Sequence, residues 1–474
     1  MCSGVTVCAS IVAILEGKGG IQMGGVVRAN ALFKDATFAR SLPKKHPASV
    51  RILVLTPWYY PFVHPRAYRW THLTTYWAKQ GHEVHVVCAR QRDFARTHQH
   101  EGVWVHRAGF NSLKEAVFYA VRPATARGRI GAGAAPPGWL LRGLAAIYKN
   151  VWKNLCFPDD AWQWYWPACR LAEALHQQRP FDLVVSVSLP FTAHRVGYYL
   201  KQRYPALRWI ADIGDPYSLR PGPLQNPLYT ATGRWLERTT LAKADAVVVT
   251  NPAAADVYRQ QFGVLPERLY IIPPLWNDVP DAALNDHPVT LRAGWHAGYF
   301  GAFYAPIRTP QALAGLIEET FTLRPDLRAR LFFHFFGEVF PEFWHVLHRL
   351  PNTTLHGLCL PAQAHAHMRR MRVLISVGNT TTWQLPSKAA SYLAAGRPVV
   401  HLSYVEPDAL VRFWGDRPNL LVLRVQGGRV PADEIERWLS FLENPPSALD
   451  DLEQQVAPFR TEALAAAYLS AAGQ

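Results

Sequence analysis

The sequence predicts an α/β protein built as two Rossmann-like, doubly wound domains facing each other across a cleft. Three observations carry that prediction. Short apolar runs recur along the chain, bounded by polar or turn residues, as strands buried on both faces are. Helical patterns of ordinary length separate them, which parallel strands need for their crossovers. The alternation runs twice, on either side of a segment rich in Pro, Asp and Asn at 277–288.

The first series opens with a strand at 51–56, a helix over 67–80 stopped by Gly81, and a strand at 84–89, which make one βαβ unit. Apolar runs at 183–187 and 209–212 flank a helix near 192–202, and runs at 246–250 and 269–272 continue the pattern until Pro273-Pro274 ends it. The second series places strands at 296–300, 331–336, 353–355, 373–377, 399–402 and 420–425. The expected organisation is an extension without periodicity over 1–48, a first domain over 49–278, a linker over 279–292, a second domain over 293–455 and a C-terminal helix over 456–474. One stretch, about 111–160, fits neither series. Its later part, WLLRGLAAIYKNVWK at 139–153, carries apolar and basic residues at helical spacing with Trp near both ends. An interfacial membrane helix and a helix packed on the first sheet with snorkelling Lys and Arg both read this way.

The 474 residues are 49% hydrophobic and 18% charged, enough for two or three sizeable cores. A net charge of +15 points to nucleic acid, an anionic membrane surface, phosphorylated substrates or a basic surface with no partner. Seventeen Trp and nineteen Tyr set among Arg and Lys favour the membrane interface. No zinc-finger spacing, RNA-recognition signature or long basic tail is present, so nucleic acid is not expected as a partner. Cys2, Cys8, Cys88, Cys156, Cys169 and Cys359 show no metal spacing and read as free thiols of a reducing compartment. No apolar run reaches the ~18 residues of a membrane span. The segment 5–15 lacks the preceding basic residue and following cleavage site of a signal peptide. The expected location is the cytoplasm, with a peripheral contact on an anionic membrane.

The segment 384–400, QLPSKAASYLAAGRPVV, follows the strand at 373–377. Pro386 is expected at the first helical position, Ser387 and Lys388 in the first turn, and Gly396 at the end. Free backbone N–H groups, the helix dipole and an ammonium at the carboxyl end of a strand suit a phosphate; an ordinary capped strand–turn–helix has the same residues. The loop after the first strand, PWYYPFVHPRAYRW at 57–70, offers rings that stack on sugars and arginines that bind phosphate, or is a structural Pro/aromatic loop. SVSLPF at 186–191 with His194, and ADIGDP at 211–216 with Asp215, follow strands of the same series. Gly298 and Gly301 permit close backbone approach to a ligand. Arg308 and Asn379 complete the candidates of the second half. The chain has no D-x-D, no P-loop motif, no G-x-S-x-G and no H-E-x-x-H.

These motifs resemble those of the group 1, family 4-like retaining glycosyltransferases of the GT-B fold, over about 51–425. One branch of that family shows Q-L-P-S-K-x-x-E-Y-x-A-x-G-x-P-V, Y-Y-P-F-x-x-P-R-A-x-R, S-x-P-P-x-x-x-H, D-x-x-D-P-W and G-x-x-G-x-x-x-x-x-R. The resemblance implies a nucleotide-sugar donor bound by Gly298, Gly301, Arg308, Asn379, Gln384, Leu385, Pro386, Ser387, Lys388 and Ser391, with Ser387, Lys388 and Arg308 on its diphosphate. It implies that Pro65, Arg66 and Arg69 face the acceptor or a phosphate and that Asp215 and His194 orient the acceptor. Two positions depart from the family: Ser391 stands where a Glu binds the ribose, and Trp383 stands where a second Glu lies eight residues earlier. The implied reaction is a retaining transfer to a saccharide or lipid-linked acceptor, without metal or cofactor, in cell-surface polysaccharide or lipopolysaccharide synthesis. Two alternatives stay open: a nucleotide-sugar epimerase of the same fold, and a non-catalytic scaffolding member.

Overall fold

The computed structural model describes residues 49–62, 64–90, 94–110, 157–219, 227–276, 291–446 and 451–473. The 1–48 extension, the segment 139–153 and nearly all of the 279–292 linker lie outside the described residues.

The first lobe is an eight-stranded sheet in the order β3-β4-β2-β1-β5-β6-β7-β8. Its strands are β1 (Arg51–Leu55), β2 (Glu83–Cys88), β3 (Thr97–His100), β4 (Val103–Arg107), β5 (Leu183–Val187), β6 (Arg208–Asp212), β7 (Ala246–Val249) and β8 (Leu269–Ile271). Its helices are α1 (Pro65–Lys79), α2 (Tyr165–Gln178), α3 (Thr192–Arg203), α4 (Pro227–Leu241) and α5 (Pro252–Phe262). Strand β1 is buried throughout because helices cover both faces. Leu53 and Leu55 enter one core with Val184 and Trp209, while Ile52 and Val54 enter another with Val86 and Trp70. That two-residue alternation is why the run is apolar at every position. The β3–β4 hairpin is an element the apolar pattern does not contain. It pairs antiparallel through His100↔Val103, and Glu101 and Gly102 turn it with φ of 44° and 85°, the positive pair a type I′ turn needs.

The second lobe is a parallel sheet in the order β11-β10-β9-β12-β13-β14. The strands are β9 (Trp295–Phe300), β10 (Leu331–Phe336), β11 (Thr353–Gly357), β12 (Val373–Val377), β13 (Val399–Ser403) and β14 (Leu420–Arg424). The helices are α6 (Gln311–Leu323), α7 (Pro341–Leu347), α8 (Pro361–Arg370), α9 (Ala389–Ala394), α10 (Ala409–Trp414), α11 (Ala432–Glu443), α12 (Leu452–Val456) and α13 (Thr461–Ala471). The strand order reverses between β9 and β12, and in the first sheet between β1 and β5, the two places where such sheets open a crevice.

Helix α13 returns to the first lobe. The Trp77 indole donates to the Ala465 carbonyl at 3.3 Å, and Tyr468 packs with Trp70 and Trp77 of α1. The two crossings between the lobes touch, because the Trp276 N–H donates to the Phe459 carbonyl at 2.7 Å.

Helix α9 corrects one expectation. It begins at Ala389, not Pro386. The Asn379 amide donates to the Gln384 carbonyl at 2.9 Å and holds that segment to the end of β12. The chain then needs a tight turn, closed by Ala389 N–H to the Pro386 carbonyl at 3.0 Å, before it can enter the helix. Ser387 and Lys388 therefore sit in the turn. The far end is as expected: Gly396 adopts φ 65°, the left-handed conformation that stops a helix.

Candidate active site

A cleft of about 1160 Å³ lies at the carboxyl ends of both sheets. Its walls are the segments that follow strands at each switch point. Trp58, His64 and Pro65 follow β1, Asp215 and Tyr217 follow β6, Gly301 and Arg308 follow β9, and Asn379 to Lys388 follow β12.

The second-lobe wall is organised around Asn379. Arg308 donates from Nε and Nη2 to Asn379 Oδ1 at 3.1 and 2.8 Å, which fixes the guanidinium against the end of β12. Lys388 lies in the same wall, and among the described residues its ammonium has no hydrogen-bond or ion-pair partner. Burial holds its pKa below the ordinary lysine value, with Cys359 acting weakly the other way. Two cations held at one wall, neither paired with a carboxylate among the described residues, make a place suited to an anion. Gln384, Leu385, Pro386 and Ser387 complete this wall.

Several expected residues do not reach the cleft. Arg66 donates to the Ser188 carbonyl at 2.8 Å and pairs with Asp212. Arg69 is buried, and its guanidinium is taken by the Pro273 and Ile272 carbonyls and by Tyr468 Oη. Both point inward because the carbonyls and carboxylate ending the neighbouring strands lie beneath α1; Pro65 alone of that trio lines the cleft. His194 is a core histidine, 1% exposed, with Nδ1 2.7 Å from Ser186 Oγ. Burial pushes its pKa down to about 3, so it is neutral. Gly298 sits in the middle of β9, where a Cβ would stand 2.8 Å from Met371 and Phe300, so its smallness serves packing. Ser391 is on α9 but outside the cleft lining; its neighbour Tyr392 lines it, bonding the Ile375 carbonyl at 2.8 Å and the Phe300 N–H at 3.0 Å.

Trp383 has a different task from the Glu of the resembling family. It is 8% exposed and belongs to the core of the first lobe, although it follows a strand of the second. Its carbonyl accepts from Asn251 Nδ2 at 3.3 Å. Beside it, Gln384 Nε2 donates to Asp215 Oδ2 at 3.2 Å and Arg412 pairs with Asp256 at 2.6 Å. Three polar contacts and one aromatic plug thus join the lobes on one side of the cleft.

Asp159, Asp160, Glu338 and Cys359 also line the cleft and were not among the residues expected there. Asp159 accepts from Thr192 N at 2.9 Å and Thr192 Oγ1 at 2.7 Å; burial raises its pKa to about 6 against those bonds. The adjacent acids of FPDDAW at 157–162 were the available signal, hidden because they end the stretch that fits neither strand series. Among the described residues no cluster of His, Cys, Asp and Glu is placed to hold a metal ion, and no helix is long and apolar enough to cross a membrane.

Residues 67–274 match the glycosyl transferase 4-like domain family. A glycosyltransferase of Rickettsia africae ESF-5 has the same fold, with 9% identity, a TM-score of 0.51, and coverage of 90% of this chain and 98% of that one. An α,α-trehalose 6-phosphate synthase of Burkholderia multivorans is similar at 11% identity and a TM-score of 0.56, covering 90% and 98%. The Anabaena HepE protein, solved in complex with UDP and glucose, is similar at 10% identity and a TM-score of 0.51, covering 89% and 98%. No curated protein matches the sequence. The two parallel-sheet lobes and the cleft at their carboxyl ends have the GT-B fold of these glycosyltransferase structures. Within that fold, the match to the glycosyl transferase 4-like domain falls on the first lobe.

Proposed function

We propose that the protein transfers a sugar from a nucleotide-diphosphate sugar to a saccharide or lipid-linked acceptor, with retention of configuration and without a metal or cofactor. The observation that carries this reading is the pairing of Lys388 with the Asn379-anchored Arg308 on one wall of the cleft. Two cations there neutralise the charge that develops on a departing diphosphate, which is the largest demand of such a transfer. The complex of the HepE protein with UDP and glucose supports a donor of this chemical class. On the opposite wall Asp215 and Asp159 present carboxyl groups to an acceptor hydroxyl, while Trp58 and Tyr217 offer rings for a sugar face. In this reading Arg66, Arg69 and His194 hold the acceptor-side segments in place and do not touch substrate.

The process we assign is assembly of cell-surface polysaccharide or lipopolysaccharide at the cytoplasmic face of a membrane. The exposed Trp162, Trp166 and Trp235 and the net charge of +15 support a peripheral contact with anionic lipid. One observation favours a second, non-catalytic reading: Trp383 and Ser391 replace two carboxylates of the resembling family, and neither faces the cleft with a substitute charge. The test is thermal stabilisation by UDP, GDP, TDP, CMP and ADP, each with and without chelator. A nucleotide at about 100 times its dissociation constant stabilises by roughly 2.7 kcal/mol. A shift with one nucleotide that survives chelation names the donor base. The absence of a shift with every nucleotide selects the non-catalytic reading.

A further inference from the structure

A second cavity, of about 330 Å³, opens at the amino ends of the strands whose carboxyl ends form the cleft. Trp295 at the start of β9, Arg372 just before β12 and Arg397 just before β13 line it. Arg372 and Asn379 bracket the five-residue strand β12, so this cavity is separated from the cleft by roughly 20 Å at about 3.3 Å per residue.

The arginines are fixed by their stems and left open at their heads. Arg372 donates from Nε to the Leu442 carbonyl at 2.9 Å and from Nη2 to the Glu443 carbonyl at 2.7 Å. Arg397 donates from Nε to the Met371 carbonyl at 2.6 Å. Among the described residues, Nη1 of Arg372 and both terminal nitrogens of Arg397 have no protein partner, and neither side chain pairs with a carboxylate. The Trp295 ring lies under the Arg372 guanidinium at 4.3 Å and under that of Arg330 at 4.1 Å. Burial, with Arg330 and Arg397 close by, holds the Arg372 pKa below its ordinary value. Among the described residues no acidic side chain lines the cavity. Arg372 and Arg397, which have no carboxylate partner among the described residues, repel one another, and a bound anion removes that repulsion while filling the open N–H groups.

We propose that this cavity is a binding site for a phosphate group, held by Arg372 and Arg397 beside the Trp295 ring and separate from the active-site cleft. The phosphate is carried either by a soluble phosphate compound or by a lipid headgroup.

Inorganic pyrophosphate is the soluble probe, and the full chain is the sample. Arginine-selective modification followed by peptide mapping is done with and without pyrophosphate. Because Arg372 also ties two carbonyls of α11, this readout on the unmodified sequence comes first. Several-fold protection of Arg372 and Arg397 is expected; equal modification with and without pyrophosphate overturns the proposal. The variant Arg372→Gln/Arg397→Gln is then expected to lose one class of pyrophosphate sites in calorimetry and to keep any nucleotide-induced stabilisation. An unchanged isotherm in a folded variant also overturns it. Co-sedimentation with phosphatidylglycerol vesicles, compared with phosphatidylcholine alone, separates the sources. Arginine-dependent vesicle binding assigns the lipid headgroup, and protection by pyrophosphate without vesicle binding assigns a soluble phosphate.

Discussion

Tyr468 Oη donates a 2.7 Å hydrogen bond to Asp212 Oδ1, tying the last helix of the chain to the end of strand β6. Asp212 is fully buried and also accepts from the Trp70 indole at 2.9 Å and from Arg66. The Tyr468 oxygen in turn accepts from Arg69 at 2.9 Å. One hydroxyl therefore serves a buried carboxylate and a buried guanidinium at once, and both lie beside the loop that opens the cleft.

Tyr468→Phe keeps the ring in its packing and removes the hydroxyl. The expected loss is about 1–3 kcal/mol, the penalty for leaving buried groups short of a partner, larger where they are charged. Chemical denaturation of the two proteins measures it. An unchanged midpoint would mean that water or another donor replaces Tyr468.

Lys388→Ala is expected to lower turnover by about 10²–10³-fold, the usual effect of removing one group that stabilises developing charge. Its thermal midpoint should stay near that of the parent, because the ammonium has no described protein partner to lose. Parent-like turnover would take Lys388 out of the transfer step.

Trp383→Glu restores the carboxylate of the resembling family at that position and is expected to damage the protein. The ring fills the first-lobe core, so its loss costs about 3–5 kcal/mol, and burying a charge adds to that. Ser391→Glu should fold normally and gain no nucleotide affinity, since Ser391 does not line the cleft. Nucleotide-induced shifts in melting temperature read both variants; a larger shift in Ser391→Glu would place that position at the ligand.

Acid should destabilise the fold through its buried histidines. His334 is pushed down to about 3 by burial, then by His356 and His296, and His106 to about 4 by burial, then by His85. His334 sits in a hydrogen-bonded run, His296 to His334 to His356, at 2.9 Å per step. The His296 Nε2 lies 3.0 Å from the Arg292 carbonyl and donates there, while His334 faces His296 Nδ1 through its Nε2 and His356 Nε2 through its Nδ1. Below the ordinary 6.5 the unfolded chain takes protons that these folded rings refuse. Stability is therefore full above pH 6.5 and falls as pH drops toward 3. Asp159 acts in the opposite sense, since its pKa is raised from 3.8 to about 6 and it binds a proton first in the folded state. Melting temperatures across this range test the balance: a flat profile contradicts it, and His334→Asn should shallow the slope.

What could be read in the sequence follows from burial and distance along the chain. Strands such as β1, β5 and β12 were legible because helices cover both faces and force apolar residues at every position. Strand β3, THQH, is an edge strand with half its residues exposed, so its only signal was the Glu101–Gly102 turn. Arg308, Asn379 and Lys388 could be placed at the cleft because each lies in the segment after a parallel strand, Arg308 and Lys388 within motifs that resemble the family's. The orientations of Arg69 and His194 could not. The partner that draws Arg69 inward lies 399 residues away, and His194 turns toward Ser186 on the preceding strand, not toward the cleft its helix faces. Trp383 was visible only as a departure from a motif; that it plugs the other lobe depends on a contact 132 residues distant in sequence.

The contact between Trp276 and Phe459 bears on how the cleft works. At Trp276 and Phe459 the two crossings between the lobes are bonded to each other. A single strap lets its two halves tilt, twist and slide; a bonded pair still bends but resists torsion. The motion expected of lobes coupled at this point is the opening and shutting of a jaw, which would bring what each lobe carries together along the same arc at every closure.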